Sequence, residues 1–351
     1  MSRLGVVLSV LAVALPGGVV FAAAAADAPT DAGRPIPVER RLGTVGPIDT
    51  VVAISIDGLN PAAITKLGRE RAPALHNLMR TGATTLNART ERELTDTLPN
   101  HTSMVTGRRI EAATGGHGVT WNDDRLTPST VQAGAGQDVS SVFNVVHDAG
   151  GSTAYFASKT KLSLWERSWP EAVDTGVIIE DNELLTDAFV ADLTGQTRSF
   201  RFLHLSAPDA AGHARGFMSR AYLRAVAATD RRVATVMKTI KNSPTLAGHA
   251  AVVLTADHGG QGLNHRDPTR AVNYRIPFMI WGPDVARGAD LYENNPPYSN
   301  PRRARTTYAD APIRNGHVAN LALDMLELPA VPDSEFGAAQ DLRWDPIRLM
   351  D

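Results

Sequence analysis

Three strand-like apolar runs in this sequence are each followed by an aspartate, and two of these segments also contain a histidine. In an open α/β sheet, ligands bind beyond the carboxyl ends of the strands, so residues after such runs would gather at one edge. Carboxylates and imidazoles are the usual ligands of divalent metal ions, and the pattern predicts a site for two of them. Taken singly, the same residues also fit ordinary turn and cap positions. The runs are 51–56, 200–206 and 250–256, and the residues that follow them are Asp57, Asp209, His213, Asp257 and His258.

A further histidine follows the last of these runs and lies within reach of the same edge. His265 comes seven residues after His258, in a glycine-containing segment whose backbone can approach a charged ligand closely. His317 is the competing candidate, but it falls in a predicted helix over 315–326 whose apolar residues share one face, as in a packing element. We therefore predict that His265, rather than His317, is the last metal ligand.

A threonine precedes a predicted helix start between the first two of these segments. Residues from Pro99 onward predict a helix over 99–106, because proline is favoured in the first helical turn. Thr97 would lie just before that N-terminus, where backbone N–H groups and the helix dipole favour an anion. A hydroxyl in this position, in contact with a metal ion, can be deprotonated and attack phosphorus. A simple threonine cap is the structural alternative, and the residues alone leave both open.

Composition is that of an ordinary globular protein. The 351 residues are enough for one large domain, and 35 Lys and Arg against 37 Asp and Glu give almost no net charge. A broad nucleic-acid or membrane-binding surface is therefore not expected. The chain has no cysteine, which excludes disulfides, thiolate zinc sites and lipid attachment through an N-terminal cysteine.

Strand-length apolar runs alternate with segments of helical periodicity. This alternation predicts an α/β fold with a mostly parallel central sheet flanked by helices on both faces. We expect residues 49–351 to form a single catalytic domain with loop insertions, and the long irregular stretches 115–136 and 287–307 to determine substrate specificity. The predicted strands are 51–56, 83–87, 152–156, 199–206, 250–255 and 276–281. The predicted helices are 61–79, 99–106, 139–149, 184–193, 218–240 and 315–326.

The N-terminal segment predicts secretion. Residues 1–26 read as a signal peptide: Arg3 is basic, residues 4–15 are apolar, and a stretch of small residues offers a cleavage site. An uncleaved membrane anchor is the alternative. Residues 27–48 are rich in proline, glycine and charge, which predicts a flexible leader. We therefore expect a secreted or periplasmic protein without stable membrane association after cleavage.

Five motifs, taken in chain order, resemble the alkaline phosphatase superfamily, and in particular its type I phosphodiesterase / nucleotide pyrophosphatase branch. That branch carries a Thr-Phe-Pro-Asn-His motif, in which Leu98 replaces the phenylalanine here. The resemblance covers residues 49–328 and implies an alkaline-phosphatase-like fold. The motifs are Asp57-Gly58, Thr97-Leu-Pro-Asn-His101, Asp209-Ala-Ala-Gly-His213, Asp257-His258-Gly259 and the later His265.

The resemblance also implies two zinc ions per chain and a role for each motif residue. Thr97 would attack phosphorus and form a phospho-threonine intermediate, and Asn100 would donate a hydrogen bond to a phosphoryl oxygen. Relatives often place their last ligand histidine farther downstream, which keeps His317 as a competitor of His265. One zinc would be held by Asp209, His213 and His265, and the other by Asp57, Asp257, His258 and the Thr97 hydroxyl.

From these observations we predict a secreted, zinc-dependent hydrolase of phosphodiester or pyrophosphate bonds, acting on a small-molecule phosphoester such as a nucleotide. A phosphomonoesterase or phosphonate hydrolase would use the same residues with different pocket walls. A mutase acting on phosphorylated metabolites is disfavoured by secretion. A non-enzymatic metal-binding module is disfavoured because it would not need Thr97 and Asn100 at a helix start.

The predicted preference for diesters depends on the charge around Thr97. Alkaline phosphatases bind phosphate with an arginine that has no counterpart beside Thr97, and sulfatases need a residue that becomes formylglycine, which threonine cannot. The second substituent of a diester needs an apolar surface, for which Trp121 and Phe217 are candidates. Three cations could still enter the site and reverse the preference, namely Arg89, Lys159 and Arg215.

Overall fold

An eight-stranded sheet forms the centre of the fold. The computed structural model describes residues 48–304 and 311–346, and the named strands of these residues all belong to this sheet. The strands are β1 (Thr50–Ile56), β2 (Ala83–Arg89), β3 (Thr153–Ala157), β4 (Thr175–Ile178), β5 (Phe200–Leu205), β6 (Ala250–Thr255), β7 (Arg275–Trp281) and β8 (Ala289–Asp290). Their order across the sheet is β4-β3-β5-β1-β6-β7-β2-β8.

The sheet is mostly parallel, as predicted. β1 pairs in parallel with both β5 and β6, and β3 pairs in parallel with β4 and β5. β7 is antiparallel to its neighbours β6 and β2. Every residue of β1, β5 and β6 is buried, which explains why these strands read as continuous apolar runs rather than as an alternating pattern.

Helices pack in two groups against this sheet. One group surrounds the long helix α9 and contains α1, α2, α7 and α8; the other joins α3, α5 and α11. The helices are α1 (Pro61–Arg71), α2 (Pro73–Thr81), α3 (Thr97–Thr106), α4 (Val131–Ala135), α5 (Val142–Asp148), α6 (Leu164–Ser168), α7 (Asn182–Gly195), α8 (Ala207–Arg215), α9 (Arg220–Asn242), α10 (Ala271–Tyr274) and α11 (Val318–Met325).

The segment predicted as one helix over 61–79 forms two helices, α1 and α2. Pro73 has no N–H to continue the ladder, and its ring disfavours the helical region for the residue before it. Ala72 accordingly adopts φ −137° and ψ 56°, which ends α1. The prediction of one continuous helix was wrong because Pro73 is the start of a second helix rather than a position inside the first.

Other boundaries differ by a few residues, and several short elements were not predicted. Helix α3 begins at Thr97, two residues before the predicted start. The predicted helix 315–326 begins as a 3₁₀ turn over Asn315–His317 and continues as α11. The stretch 115–136, predicted as irregular, contains the short helix α4. The strands and α-helices without a sequence prediction are β4, β8, α4, α6, α8 and α10.

The N-terminal predictions fall almost entirely outside the part of the chain that the structure describes. The predicted signal peptide, residues 1–26, lies outside it, as does the predicted leader up to residue 47. The described residues belong to one compact unit that spans Gly43–Asp351. Among them, no helix is both long enough and apolar enough to cross a membrane.

Candidate metal centre and active site

The candidate site lies at the carboxyl ends of three adjacent strands, β5, β1 and β6. Asp57 directly follows β1, Asp257 follows β6 by two residues, and Asp209 lies in the first turn of α8 just after β5. Because these strands are parallel neighbours, their carboxyl ends meet at one edge, and the three aspartates converge there. All three are buried, with exposures of at most 2%.

One group of ligand atoms comes from Asp57, Asp257 and His258. These residues each offer an atom within 4.8 Å of the others. The Nε2 atom of His258 lies 3.4 Å from Asp57 Oδ1 and 3.2 Å from Asp257 Oδ2. These three atoms are buried and have no hydrogen-bond partner in the described structure. Unpartnered buried carboxylate oxygens carry a large desolvation cost unless a cation binds between them.

A second group of ligand atoms lies beside the first. His213 Nε2 is 3.3 Å from Asp209 Oδ1 and 3.1 Å from His265 Nε2, and the latter two atoms are 3.7 Å apart. His258 also offers an atom within 4.8 Å of those of Asp209 and His265, so the two groups are contiguous. The sequence-predicted ligands are therefore brought together, including His213, which is partly exposed at the rim.

Backbone carbonyls fix the tautomer of each histidine in the two groups. The Nδ1 atoms of His258, His213 and His265 lie 2.8, 2.8 and 2.5 Å from carbonyl oxygens, which can only accept. Each Nδ1 therefore carries the proton, and each Nε2 presents its lone pair to the cluster. Burial lowers the pKa of His258, and lowers that of His265 to about 2, so both rings are neutral. Neutral histidines oriented by a carbonyl are typical metal ligands.

In each aspartate, one carboxylate oxygen accepts from donors of the protein and the other has no hydrogen-bond partner among the described residues. Asp57 Oδ2 accepts from His204 Nε2 at 2.9 Å and from Lys159 Nζ at 2.6 Å. Asp257 Oδ1 accepts from two backbone N–H groups at 3.0 and 2.9 Å, and Asp209 Oδ2 accepts from Lys159 at 2.7 Å. The remaining oxygens are the unpartnered ones. This donor set, three carboxylates and three imidazoles, fits two zinc ions.

The carboxylates also affect each other's pKa. Burial and the nearby charge of Asp57 raise the pKa of Asp257 well above its usual range. Burial would raise the pKa of Asp57 as well, but the Lys159 ammonium and neighbouring imidazoles outweigh burial and hold that pKa well below its usual range. Two carboxylates this close cannot both ionise without additional positive charge, which a divalent cation supplies.

Thr97 lies beside this cluster as the first residue of α3. Its side chain is buried, and its Oγ1 accepts from Lys159 Nζ at 3.3 Å. The same ammonium contacts one aspartate of each group, Asp57 and Asp209. Burial would lower the pKa of Lys159, but these carboxylates raise it above its usual value. A hydroxyl, a fixed cation and two groups of metal ligands thus share one small volume.

Asn100, which was expected to donate to a phosphoryl oxygen, bonds to the protein through both ends of its amide. Its Nδ2 donates to the carbonyls of Leu94 and Asp96 at 2.8 and 3.0 Å, and its Oδ1 accepts from the Glu91 N–H at 2.9 Å and from Asn315 Nδ2 at 3.1 Å. Both ends of the fully buried amide are therefore used by the protein. Asn100 thus holds the segment that leads into α3.

Asn122 and Lys161 lie at the start of α3 and were not predicted. Asn122 Oδ1 accepts the N–H of Leu98 at 3.0 Å, so this backbone N–H at the N-terminus of α3 already has an acceptor. Lys161 Nζ donates to the backbone oxygen and to Oδ1 of Asn122 at 2.6 and 3.2 Å. Asn122 falls in the stretch expected to determine specificity, which was the available sequence signal.

His204 was also missed, although it lies inside the apolar run that forms β5. Its Nδ1 accepts the backbone N–H of Ser158 at 3.2 Å, so Nε2 carries the proton. That proton is donated to Asp57 Oδ2. The fully buried His204 thereby fixes which oxygen of Asp57 faces the cluster.

Several other candidates lie elsewhere or serve differently. His317 packs against two aromatic rings and belongs to neither ligand group. Arg89 donates to backbone carbonyls of its own strand and the segment near residue 302, and Arg215 is exposed at the end of α8. Trp121 and Phe217 are 6% and 7% exposed, too little to offer the apolar surface expected for a second substituent.

Solved structures of low sequence identity share the fold of this chain. Murine ectonucleotide pyrophosphatase/phosphodiesterase 5, as an inactive threonine-to-alanine variant in complex with AMP, matches with a TM-score of 0.61 at 15% identity and covers 84% of this chain and 99% of that one. The periplasmic domain of EptC from Escherichia coli, in complex with Zn, matches with a TM-score of 0.53 at 16% identity, over 81% and 84% of the two chains. The fold is therefore alkaline-phosphatase-like.

Sequence comparison gives the family. GPI ethanolamine phosphate transferase 1 of Chaetomium globosum is 30% identical over 105 residues, which make up 30% of this chain and 11% of that protein. The family model for type I phosphodiesterase / nucleotide pyrophosphatase matches residues 51–319, which include both ligand groups and Thr97. The chain therefore belongs to the type I phosphodiesterase / nucleotide pyrophosphatase family.

Proposed function

We propose that the protein is a secreted, zinc-dependent hydrolase of phosphodiester or pyrophosphate bonds. The observation that carries the proposal is the convergence of unpartnered, buried ligand atoms beside the Thr97 hydroxyl. Family membership supports phosphoryl chemistry, and the complex of the EptC domain with Zn supports the metal. One zinc would be held by Asp209, His213 and His265, and the other by Asp57, Asp257, His258 and the Thr97 hydroxyl.

Thr97 is the proposed nucleophile. Its oxygen attacks phosphorus in line as the ester oxygen leaves, and water then hydrolyses the phospho-threonine. Lys159, which contacts the hydroxyl, stays protonated between Asp57 and Asp209 and cannot accept the Thr97 proton. Zinc held by the two ligand groups would acidify the Thr97 hydroxyl and stabilise charge on the phosphoryl group. The inactive murine relative, in which alanine replaces a threonine, supports this role.

Lys159 and Asn122 are the proposed contacts of the phosphoryl oxygens. Lys159 is fixed by two carboxylates, so its charge is already oriented before substrate binds. Asn122 is held through its Oδ1, which leaves its Nδ2 as the donor in place of Asn100. A nucleotide is the proposed substrate class, since AMP is bound to the murine relative.

A phosphomonoesterase or phosphonate hydrolase is the second candidate, and Lys159 is the observation that favours it. The diester preference was expected because no cation was evident beside Thr97, yet the structure places an ammonium 3.3 Å from its oxygen. A monoester carries more charge on the transferred group and gains more from such a cation.

The two candidates are separated by kcat/KM of the zinc-loaded protein for bis-p-nitrophenyl phosphate and p-nitrophenyl phosphate at one pH. A diester preference supports the first candidate, and a tenfold monoester preference, about 1.4 kcal/mol in transition-state binding, supports the second. The variant Lys159→Met keeps the aliphatic stem and should depress monoester turnover more than diester turnover. Absence of turnover of both substrates, and of nucleotide pyrophosphates, by the zinc-loaded protein would contradict the proposed function.

A further inference from the structure

Phe217 contacts a glycine in each of the three segments that carry the candidate metal ligands. It lies in the short connection between α8 and α9 and is almost fully buried. A Cβ atom added at Gly58, Gly212 or Gly260 would lie 3.1, 2.6 or 2.3 Å from the nearest atom of the Phe217 ring. Any side chain at Gly212 or Gly260 would collide with the ring. Each glycine is also one or two residues from a candidate ligand, so the ring packs against the backbone that carries these ligands.

The ring also packs against side chains of the site. Its centroid lies 5.8 Å from that of His213 and 6.2 Å from that of His265, both in edge-on geometry. The Tyr222 ring centroid lies 5.4 Å from that of Phe217, and the Tyr222 hydroxyl donates to the Gly58 carbonyl at 2.7 Å. Edge-on aromatic contacts of this kind have a preferred geometry, so the ring constrains the orientation of the imidazoles.

The backbone around Phe217 is held in an uncommon conformation. Gly216 has φ +90°, and Met218, which has a Cβ atom, has φ +65°. A non-glycine residue in the left-handed region is strained and persists where the surrounding structure over-determines it. The Phe217 N–H donates to the Gly262 carbonyl at 2.8 Å, which ties the strained turn to the loop that carries His265.

We propose that Phe217 is a positioning residue that sets the spacing between the two groups of metal ligands. Its ring fills the space where the loop after β1, the helix α8 and the loop after β6 meet, and the three glycines let these backbones approach it. The inference rests on the metal-dependent function proposed above, and it assigns Phe217 a different role from the substrate contact expected from the sequence. Phe217 sets zinc affinity and does not contact substrate.

The test compares Phe217→Leu and Gly212→Ala with matched controls. Phe143→Leu shortens another buried phenylalanine, in an aromatic cluster with Trp165, and Gly195→Ala adds a methyl at a helical glycine with no neighbour within 4 Å. Zinc affinity is measured by competition with a chromogenic chelator, and stability by urea unfolding of the chelated protein. We expect zinc affinity to fall at least tenfold in the two test variants, as for other residues that orient ligands. Both controls should bind zinc like the wild type, although Phe143→Leu loses stability.

The double variant Gly212→Ala/Phe217→Leu provides a second readout. Because the smaller side chain makes room for the added methyl group, we expect the double variant to bind zinc more tightly than Gly212→Ala alone. Unchanged zinc affinity in Phe217→Leu and Gly212→Ala, with wild-type binding intact, overturns the inference; so does strict additivity in the double variant. A wild-type chain that binds no zinc overturns the proposed function itself, and the role of Phe217 with it.

Discussion

At the scale of single residues, Thr97 is the side chain on which the proposed chemistry depends. Thr97→Ala should reduce turnover by several orders of magnitude, as removal of a nucleophile does in other hydrolases. Zinc content should be largely retained, because six other side chains offer ligand atoms. Metal analysis and steady-state kinetics on the same preparation test both statements. Thr97→Ser, which keeps a hydroxyl, is the control and should retain measurable turnover; near-normal rates in Thr97→Ala would exclude it as the nucleophile.

The last metal ligand is tested by a pair of histidines. His265→Ala should lose one zinc, because its Nε2 faces Asp209 and His213. His317→Ala should keep both, since that ring packs against aromatic residues outside the two groups. Zinc stoichiometry of the two variants decides the assignment. Loss of zinc from His317→Ala, with two ions retained by His265→Ala, would reverse it.

Some site residues can be predicted from the sequence because they come directly after strands. Asp57 and Asp257 come after buried apolar runs, and a parallel sheet brings such positions together. The direction in which a side chain points from a helix or strand could not be predicted in this way. Asn100 lies inside the recognised motif but its amide turns into the protein, while Lys159 and His204 have no motif and reach the site through tertiary packing. Spacing along the chain carries no information on these directions.

At the scale of elements, long buried strands were predictable and short peripheral ones were not. β1, β5 and β6 are six or seven buried residues each, which gives an unbroken apolar signal. β8 has only two residues, and β4 is half-buried throughout, so neither produces a pattern distinct from a loop. The break between α1 and α2 was readable at Pro73, because proline both starts a helix and ends the preceding one.

The start of α2 is capped by an acidic residue of another helix, which yields a stability prediction. Ala72 offers no side-chain cap, and Asp230 of α9 accepts the N–H groups of Leu75 and Ala74 at 2.8 and 3.1 Å. Asp230→Ala should lower the free energy of unfolding by about 1–3 kcal/mol, because one buried and one partly buried donor lose their acceptor. Urea unfolding measures the loss. Asp187→Ala, at an exposed position of α7, is the control and should change little; an equal loss there would contradict the capping role.

At the scale of the whole molecule, buried neutral histidines make stability depend on pH. Burial lowers the pKa of His117 to about 3, and its Nδ1 accepts the backbone N–H of Val119 at 3.1 Å. In the unfolded chain the pKa of histidine is about 6.5. Between these values the unfolded state binds a proton that the folded state does not, so unfolding becomes more favourable as pH falls below about 6.5. His117 Nε2 also lies 3.0 Å from the Oγ of Ser103 in α3, the helix that begins at Thr97.

The variant His117→Gln tests this dependence. Between pH 7 and pH 4 the chelated wild-type protein should lose more unfolding free energy than the variant, by on the order of 3 kcal/mol, since glutamine does not titrate. Urea unfolding at both pH values gives this difference. The prediction concerns the change in unfolding free energy between the two pH values, and not the lower stability of the variant at pH 7. His147→Gln, at an exposed position on α5, is the matched control and should leave the pH dependence unchanged. If His117→Gln follows the same pH dependence as the wild type, the buried ring is not held neutral by the fold.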